Sequence, residues 1–115
     1  MTIIRQNGSV NLLPAATVAA GAVTGAWVKC YGPNQTFQAT EVGSAGAYTG
    51  TVVIEASNDG VNAVATPVGT ITLAGTGTTL YSDGFVSFNT PWAWMRAKLT
   101  AITGTTAVVN VWMGC

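Results

Sequence analysis

The chemistry in this sequence is concentrated in one stretch, Pro91 to Leu99 (PWAWMRAKL). There Trp92 and Trp94 stand beside Arg96 and Lys98, two of four tryptophans next to two of four basic residues. An indole face attracts a guanidinium or ammonium group, and Trp and Arg are the types most enriched where proteins grip partners. Elsewhere the reactive inventory is thin. The chain has no histidine, which excludes Ser-His and Cys-His catalysis and most zinc chemistry. Acid–base catalysis would need Glu41, Glu55, Asp59 or Asp83. A glycosidase requires two carboxylates about 5 to 10 Å apart across a cleft. Glu55 with Asp59, or Asp83 with Glu41, supply the groups, but one sits at a strand end, two sit in turns, and nothing signals a pocket. No catalytic, cofactor or metal site is expected. Asp59 is a lone carboxylate in a turn, a position that hydrogen bonding to the backbone explains without calcium.

The elements that must carry these residues are strands. No segment sustains the i, i+3, i+4, i+7 spacing of an amphipathic helix, whereas short Val-, Ile-, Thr- and aromatic-rich runs alternate with turn clusters such as YGPNQ, SNDGVN, LAGTGT and ITGTT. This predicts an all-β fold, an antiparallel β-sandwich or jelly roll with almost no helix, as one domain over 1–115. The strands are expected at 9–13, 16–20, 26–31, 36–42, 49–57, 62–66, 69–74, 78–81, 84–88, 93–102 and 106–113. Residues 1–14 are read as a first strand or an N-terminal arm, with Ile3 and Ile4 as apolar contacts for a neighbour.

Period-two alternation assigns faces. In TGTVVIEAS, Val52, Ile54 and Ala56 share the expected core face. With Gly104 centring the turn in ITGTT, the strands from Ala93 and from Thr106 form a hairpin whose inner face holds Met95, Ala97, Leu99, Val109, Val111 and Met113. The opposite face then carries Trp94, Arg96, Lys98, Asn110 and Trp112, with Arg96 across from Trp112 in a cation–π pair. These five residues are the candidate interface, unless a loop covers the tryptophans or the parity slips and turns them inward.

Charge bounds the partners. Only 7% of residues are charged, four basic against four acidic, compared with about 25% in an ordinary soluble domain. A surface so neutral lacks the repulsion that keeps copies apart, so self-association is favoured. It also lacks the many cations that phosphate binding requires, so nucleic acid is not an expected partner. Arg5 followed by LLPAATVAAGAV loosely imitates a secretory signal, but the polar NGSVN intervenes and Pro14 and Gly21 interrupt the run. No segment reaches the roughly 20 apolar residues of a membrane-spanning helix. The expectation is a soluble, unprocessed chain made in the cytosol. Cys30 and Cys115 form no disulfide framework: Cys30 alternates with Ala26 and Val28 as a small buried hydrophobe, and Cys115 is a terminal thiol that could link chains.

Residues 57–62 (SNDGVN), 70–78 (TITLAGTGT) and 83–114 (DGFVSFNTPWAWMRAKLTAITGTTAVVNVWMG) resemble a family of small phage virion proteins. The shared pattern is an SNDG turn, a DGF strand, a PW-x-x-x-R-A strand, a T-x-I-x-G-T turn and a final V-x-V-x-M-G strand. In that family a tryptophan often follows the SNDG-x-N turn, where Ala63 stands here. The resemblance implies a β-sandwich that decorates or cements a capsid. Its implied partners are the major capsid protein and copies of itself in a small homo-oligomer. Its implied place is the head surface of the virion, assembled in the host cytoplasm. A tail or fibre component and a carbohydrate-binding module using Trp92, Trp94 or Trp112 are the competing expectations. A sugar site needs several hydrogen-bonding groups converging beside an aromatic ring, and the sequence alone places none there.

Overall fold

The computed structural model describes residues 9–29 and 32–114. Ile3, Ile4, Cys30 and Cys115 lie outside the described residues. Among the described residues nine strands are formed: β1 (Ser9–Thr17), β2 (Val23–Thr24), β3 (Val28–Lys29), β4 (Gln35–Val42), β5 (Ala45–Ser57), β6 (Gly69–Thr76), β7 (Tyr81–Ser87), β8 (Trp94–Thr105) and β9 (Val108–Gly114). A 3-10 turn, Val18–Ala20, follows β1. The strands build two sheets of antiparallel pairs. One is four-stranded, in the order β1-β9-β4-β7; the other runs β2-β8-β5-β6, with β3 also pairing to β8.

Alternation makes the core. Val52, Ile54 and Ala56 of β5, with Met95, Ala97 and Leu99 of β8, face Val109, Val111 and Met113 of β9, and all nine are fully buried. Phe37 and Ala39 of β4, Leu12 and Leu13 of β1, and Ile71 and Leu73 of β6 complete one apolar cluster between the sheets. Each Val, Leu, Ile, Met or Phe side chain so removed from water contributes about 1.5–3 kcal/mol, and their sum holds the two layers together. The all-β sandwich expected from the sequence is the architecture observed.

The pairing differs from expectation at the C-terminal end. β8 and β9 form no hairpin; they belong to different sheets. β8 stays paired with β5, through two register shifts, out to Ala45↔Thr105, so the chain is still on the five-stranded sheet when it turns. Gly104 (φ 124°) and Thr106 (φ 50°) then carry it across to the other layer. The expected inner-face residues are nonetheless all core, because an arch between sheets and a hairpin within one both turn the same parity inward.

Other boundaries shift for local reasons. The expected strand at 62–66 is a bent segment fastened to β5 by two isolated bonds, from the Val64 and Val68 N–H groups to the Ala56 and Ile54 carbonyls. The expected strand at 16–20 divides into the end of β1 and the 3-10 turn. Of the expected strand at 26–31, Val28–Lys29 pair as β3, residues 26 and 27 precede the strand, and residues 30 and 31 lie outside the described residues. Residues 9–14, offered as strand or arm, pair as β1 against β9.

Candidate functional site

The outer face of the five-stranded sheet gathers Trp27 and Trp94 with the cations Lys29, Arg96 and Lys98. Trp94, Arg96 and Lys98 alternate with the buried Met95, Ala97 and Leu99 along β8, so all three point away from the core. On one side β5 places Glu55 opposite Arg96, and the Arg96 Nε donates to Glu55 Oε1 at 2.8 Å. On the other side the loop between β2 and β3 brings in Trp27, whose ring centroid lies 4.2 Å from the Arg96 guanidinium carbon. β3 sets Lys29 opposite Trp94, with Nζ 5.2 Å from the indole centroid. Arg96 is thus held from both flanks, by a carboxylate and by an aromatic face, and both members of the ion pair are about four-fifths shielded from solvent. Such a pair is worth more than an open surface ion pair, though still only about 1 kcal/mol or slightly above.

One end of this face is closed by the SNDG turn. Ser57 is buried; its hydroxyl donates to Asp59 Oδ1 at 2.8 Å and accepts from the N–H groups of Asp59 and Gly60. Asp59 Oδ1 also accepts from the backbone N–H groups of Val61 and Asn62, both at 2.8 Å, while Oδ2 accepts from Asn62 Nδ2 at 3.0 Å. These hydrogen bonds, the backbone ones first, hold the Asp59 carboxyl well below the usual carboxylate range. Asn58 Oδ1 accepts from the Ala93 N–H, tying the turn to the start of β8. Gly60, at φ 71°, lies flat over Trp94: a Cβ there would stand 3.1 Å from the indole. The turn is therefore a built cap over one edge of Trp94, which leaves that tryptophan half-buried.

Trp94, Arg96 and Lys98 thus lie together, as expected. Asn110 and Trp112 do not join them. β9 belongs to the four-stranded sheet, so both are on the opposite outer face of the sandwich. The expected Arg96–Trp112 contact is replaced by Arg96 on Trp27, because β8 and β9 are not neighbours. Trp27, Lys29 and Glu55 were not among the residues singled out for this surface. Their signal was parity: in AWVKC, Trp27 and Lys29 share the face opposite Ala26 and Val28, and Glu55 shares that of Val53. Trp92 packs against the rim of the core instead.

The remaining carboxylates are dispersed. Glu41 lies on the inner face of β4, fully buried, with neither oxygen hydrogen-bonded. Asp83 is exposed on β7 and accepts from the Gly84 N–H. No group of three or more His, Cys, Asp or Glu side chains is arranged to hold a metal among the described residues.

No family model matches the sequence, and no curated protein matches it. Among solved structures, the crystal structure of SPBc2 prophage-derived protein YomS superposes on 99% of this chain and 96% of its own, with a TM-score of 0.59 and 11% sequence identity. At that identity the likeness is one of fold, a whole-length match between two all-β chains of similar size.

Proposed function

We propose that the chain is a bacteriophage virion structural protein, a decoration or cement protein that binds the head surface and bridges neighbouring major capsid protein subunits as a small homo-oligomer. The observation that carries this reading is the whole-length likeness of its fold to a prophage-derived protein, which leaves almost no part of either chain over. The outer face of the five-stranded sheet supplies the contact. Its Trp27–Arg96 and Trp94–Lys29 pairs are the residue types that anchor interfaces, and Lys29, Arg96 and Lys98 suit an acidic patch on a shell subunit. Modest contacts suffice on a symmetric shell, where several sites engaged at once multiply the retention of each copy. In this reading the chain does no catalysis, carries no cofactor, and acts by covering a seam.

Purified particles of the phage that encodes the chain test it. Mass spectrometry should find the protein at a copy number comparable to that of the shell protein. Deleting the gene should leave heads that assemble yet rupture at lower temperature or milder osmotic shock. Absence from particles sinks the reading. Intact, normally stable heads with defective tails would move the protein to the tail or fibre.

A further inference from the structure

The outer face of the four-stranded sheet differs in chemistry from its counterpart. None of the residues that the strand register places on it carries a formal charge. Trp112 lies at its middle, with Asn11 of β1 directly opposite on one side, Gln38 of β4 directly opposite on the other, and Asn110 two positions along the same strand. Trp112 is half-buried, whereas Asn11 and Gln38 are exposed.

Each of the three amides is fixed by one hydrogen bond that leaves its other end available. Asn11 Oδ1 accepts from the Leu13 N–H at 3.0 Å and Asn110 Oδ1 from the Ala15 N–H at 2.8 Å, so the Nδ2 groups remain as donors. Gln38 Nε2 donates to Ser82 Oγ at 2.8 Å, so Oε1 remains as an acceptor. The result is an aromatic ring flanked by two oriented donors and one oriented acceptor, all on paired strands. An amide already held in place loses little entropy on binding, which is how a small site gains useful affinity.

We propose that this face is a glycan-binding site centred on Trp112, for a neutral hexose or N-acetylhexosamine oligosaccharide. A pyranose ring offers an apolar C–H face to stack on the indole, and its rim hydroxyls both donate and accept, matching the Asn11 and Asn110 amino groups and the Gln38 carbonyl. Anionic ligands find no cation among the described residues of this face. A protein partner would need apolar area around the tryptophan, and the directly opposed residues are amides that would lose water without guaranteed replacement. The converging polar groups that sequence could not place beside a tryptophan are supplied by strands distant in the chain. A single shallow site of this kind binds weakly, and repetition on an ordered array would raise retention. The inference stands apart from the virion reading, since particle association and sugar binding are read by separate measurements.

The test is titration of the full-length, nitrogen-15-labelled chain with maltoheptaose, cellopentaose and chitopentaose, following the indole N–H signals of the four tryptophans. At least one probe should shift the Trp112 signal saturably, with a dissociation constant of about 0.1–10 mM. Trp112→Ala should weaken binding by about tenfold or more and Gln38→Ala by about threefold or more, while Trp94→Ala on the opposite face leaves it unchanged. Gln38 is exposed, so its variant remains informative even where Trp112→Ala perturbs folding. No saturable shift with any probe up to about 20 mM overturns the proposal. So does binding that survives Trp112→Ala, or a Trp112 signal that moves with protein concentration in the absence of sugar, which would mean a second copy covers the face.

Discussion

The guanidinium of Arg96 stacks on the ring of Trp27, 4.2 Å from its centroid, immediately beyond the pairs Val28↔Met95 and Lys29↔Trp94 by which β3 meets β8. Trp27 stands in the irregular stretch between β2 and β3, two short strands that each meet β8 over two residues. Arg96 is itself anchored to Glu55 on the far side. The edge of the five-stranded sheet is thus held by a chain of three side chains, Trp27 to Arg96 to Glu55, laid across the strands on the solvent face.

Removing the middle of that chain should cost more than removing an end. Arg96→Ala leaves Glu55 shielded without its partner and strips the face of Trp27, so an unfolding free energy lower by about 1–3 kcal/mol is expected. A double-mutant cycle with Trp27→Ala should return a coupling of about 0.5–1 kcal/mol, and one with Trp112→Ala none. Urea titration of the six proteins that make up the two cycles measures both, and a Trp112 coupling as large as that of Trp27 would contradict the strand order.

The SNDG turn should open when its carboxylate is removed. Asp59 accepts from Val61 and Asn62 and from the Ser57 hydroxyl, so Asp59→Ala frees those amides and loosens the cap over Trp94. Hydrogen exchange at Val61 and Asn62 should accelerate by about tenfold or more, while core amides of β5 stay protected. Because hydrogen bonds hold the Asp59 pKa below its ordinary value, this anchoring is present above the unfolded-state pKa and is lost as pH falls through the folded one. Exchange rates at these amides that are unchanged in the variant would refute the role given to the carboxylate.

Glycine at position 75 is demanded by Tyr48. The Tyr48 ring is fully buried, its hydroxyl donates to the Thr79 carbonyl, and a Cβ on Gly75 would run into the ring and the hydroxyl. Gly75→Ala should therefore destabilise by about 1–3 kcal/mol through displaced packing. Gly77, at φ 59° with open space around it, should lose only about 1 kcal/mol on substitution by alanine, from backbone strain alone. Thermal and urea unfolding rank the two, and the reverse order would count against Tyr48 as the wedge at this end of the sandwich.

Faces were legible in the sequence and partners were not. Met95, Ala97 and Leu99 announce one buried side by period two, as do Val109, Val111 and Met113, and every one is core. The same alternation is silent on which strand lies alongside. ITGTT looks like the tip of a hairpin because Gly104 permits a positive φ, yet the same freedom serves an arch between layers. Trp112 consequently lost its supposed partner Arg96 and acquired Asn11 and Gln38, residues 101 and 74 positions earlier in the numbering, through pairings that only the folded sheet reveals. Trp94, Arg96 and Lys98 stayed together because a single strand carries them.

Glu41 makes stability depend on pH in a direction opposite to that of most carboxylates. It lies on the inner face of β4, in register with Val109 and Tyr81, and both its oxygens lack hydrogen-bond partners. The room it occupies exists because residue 50 is glycine: a Cβ on Gly50 would stand 2.7 Å from Glu41 Oε1. Burial without a partner penalises the charged form, and desolvation pushes the Glu41 pKa up from 4.5 to about 7. Between those two values the folded state holds a proton that the unfolded chain releases. Stability is therefore full below the unfolded-state pKa and declines as pH rises through the folded one. The loss amounts to about 3 kcal/mol in the limit. Glu41→Gln keeps the shape and cannot ionise, so its unfolding free energy should vary far less between pH 5 and pH 8, with the variant the more stable protein at the alkaline end. Denaturant titrations at a series of pH values decide the matter, and a wild-type protein that gains stability from pH 5 to 8 relative to Glu41→Gln would show that the carboxylate has a partner in solution.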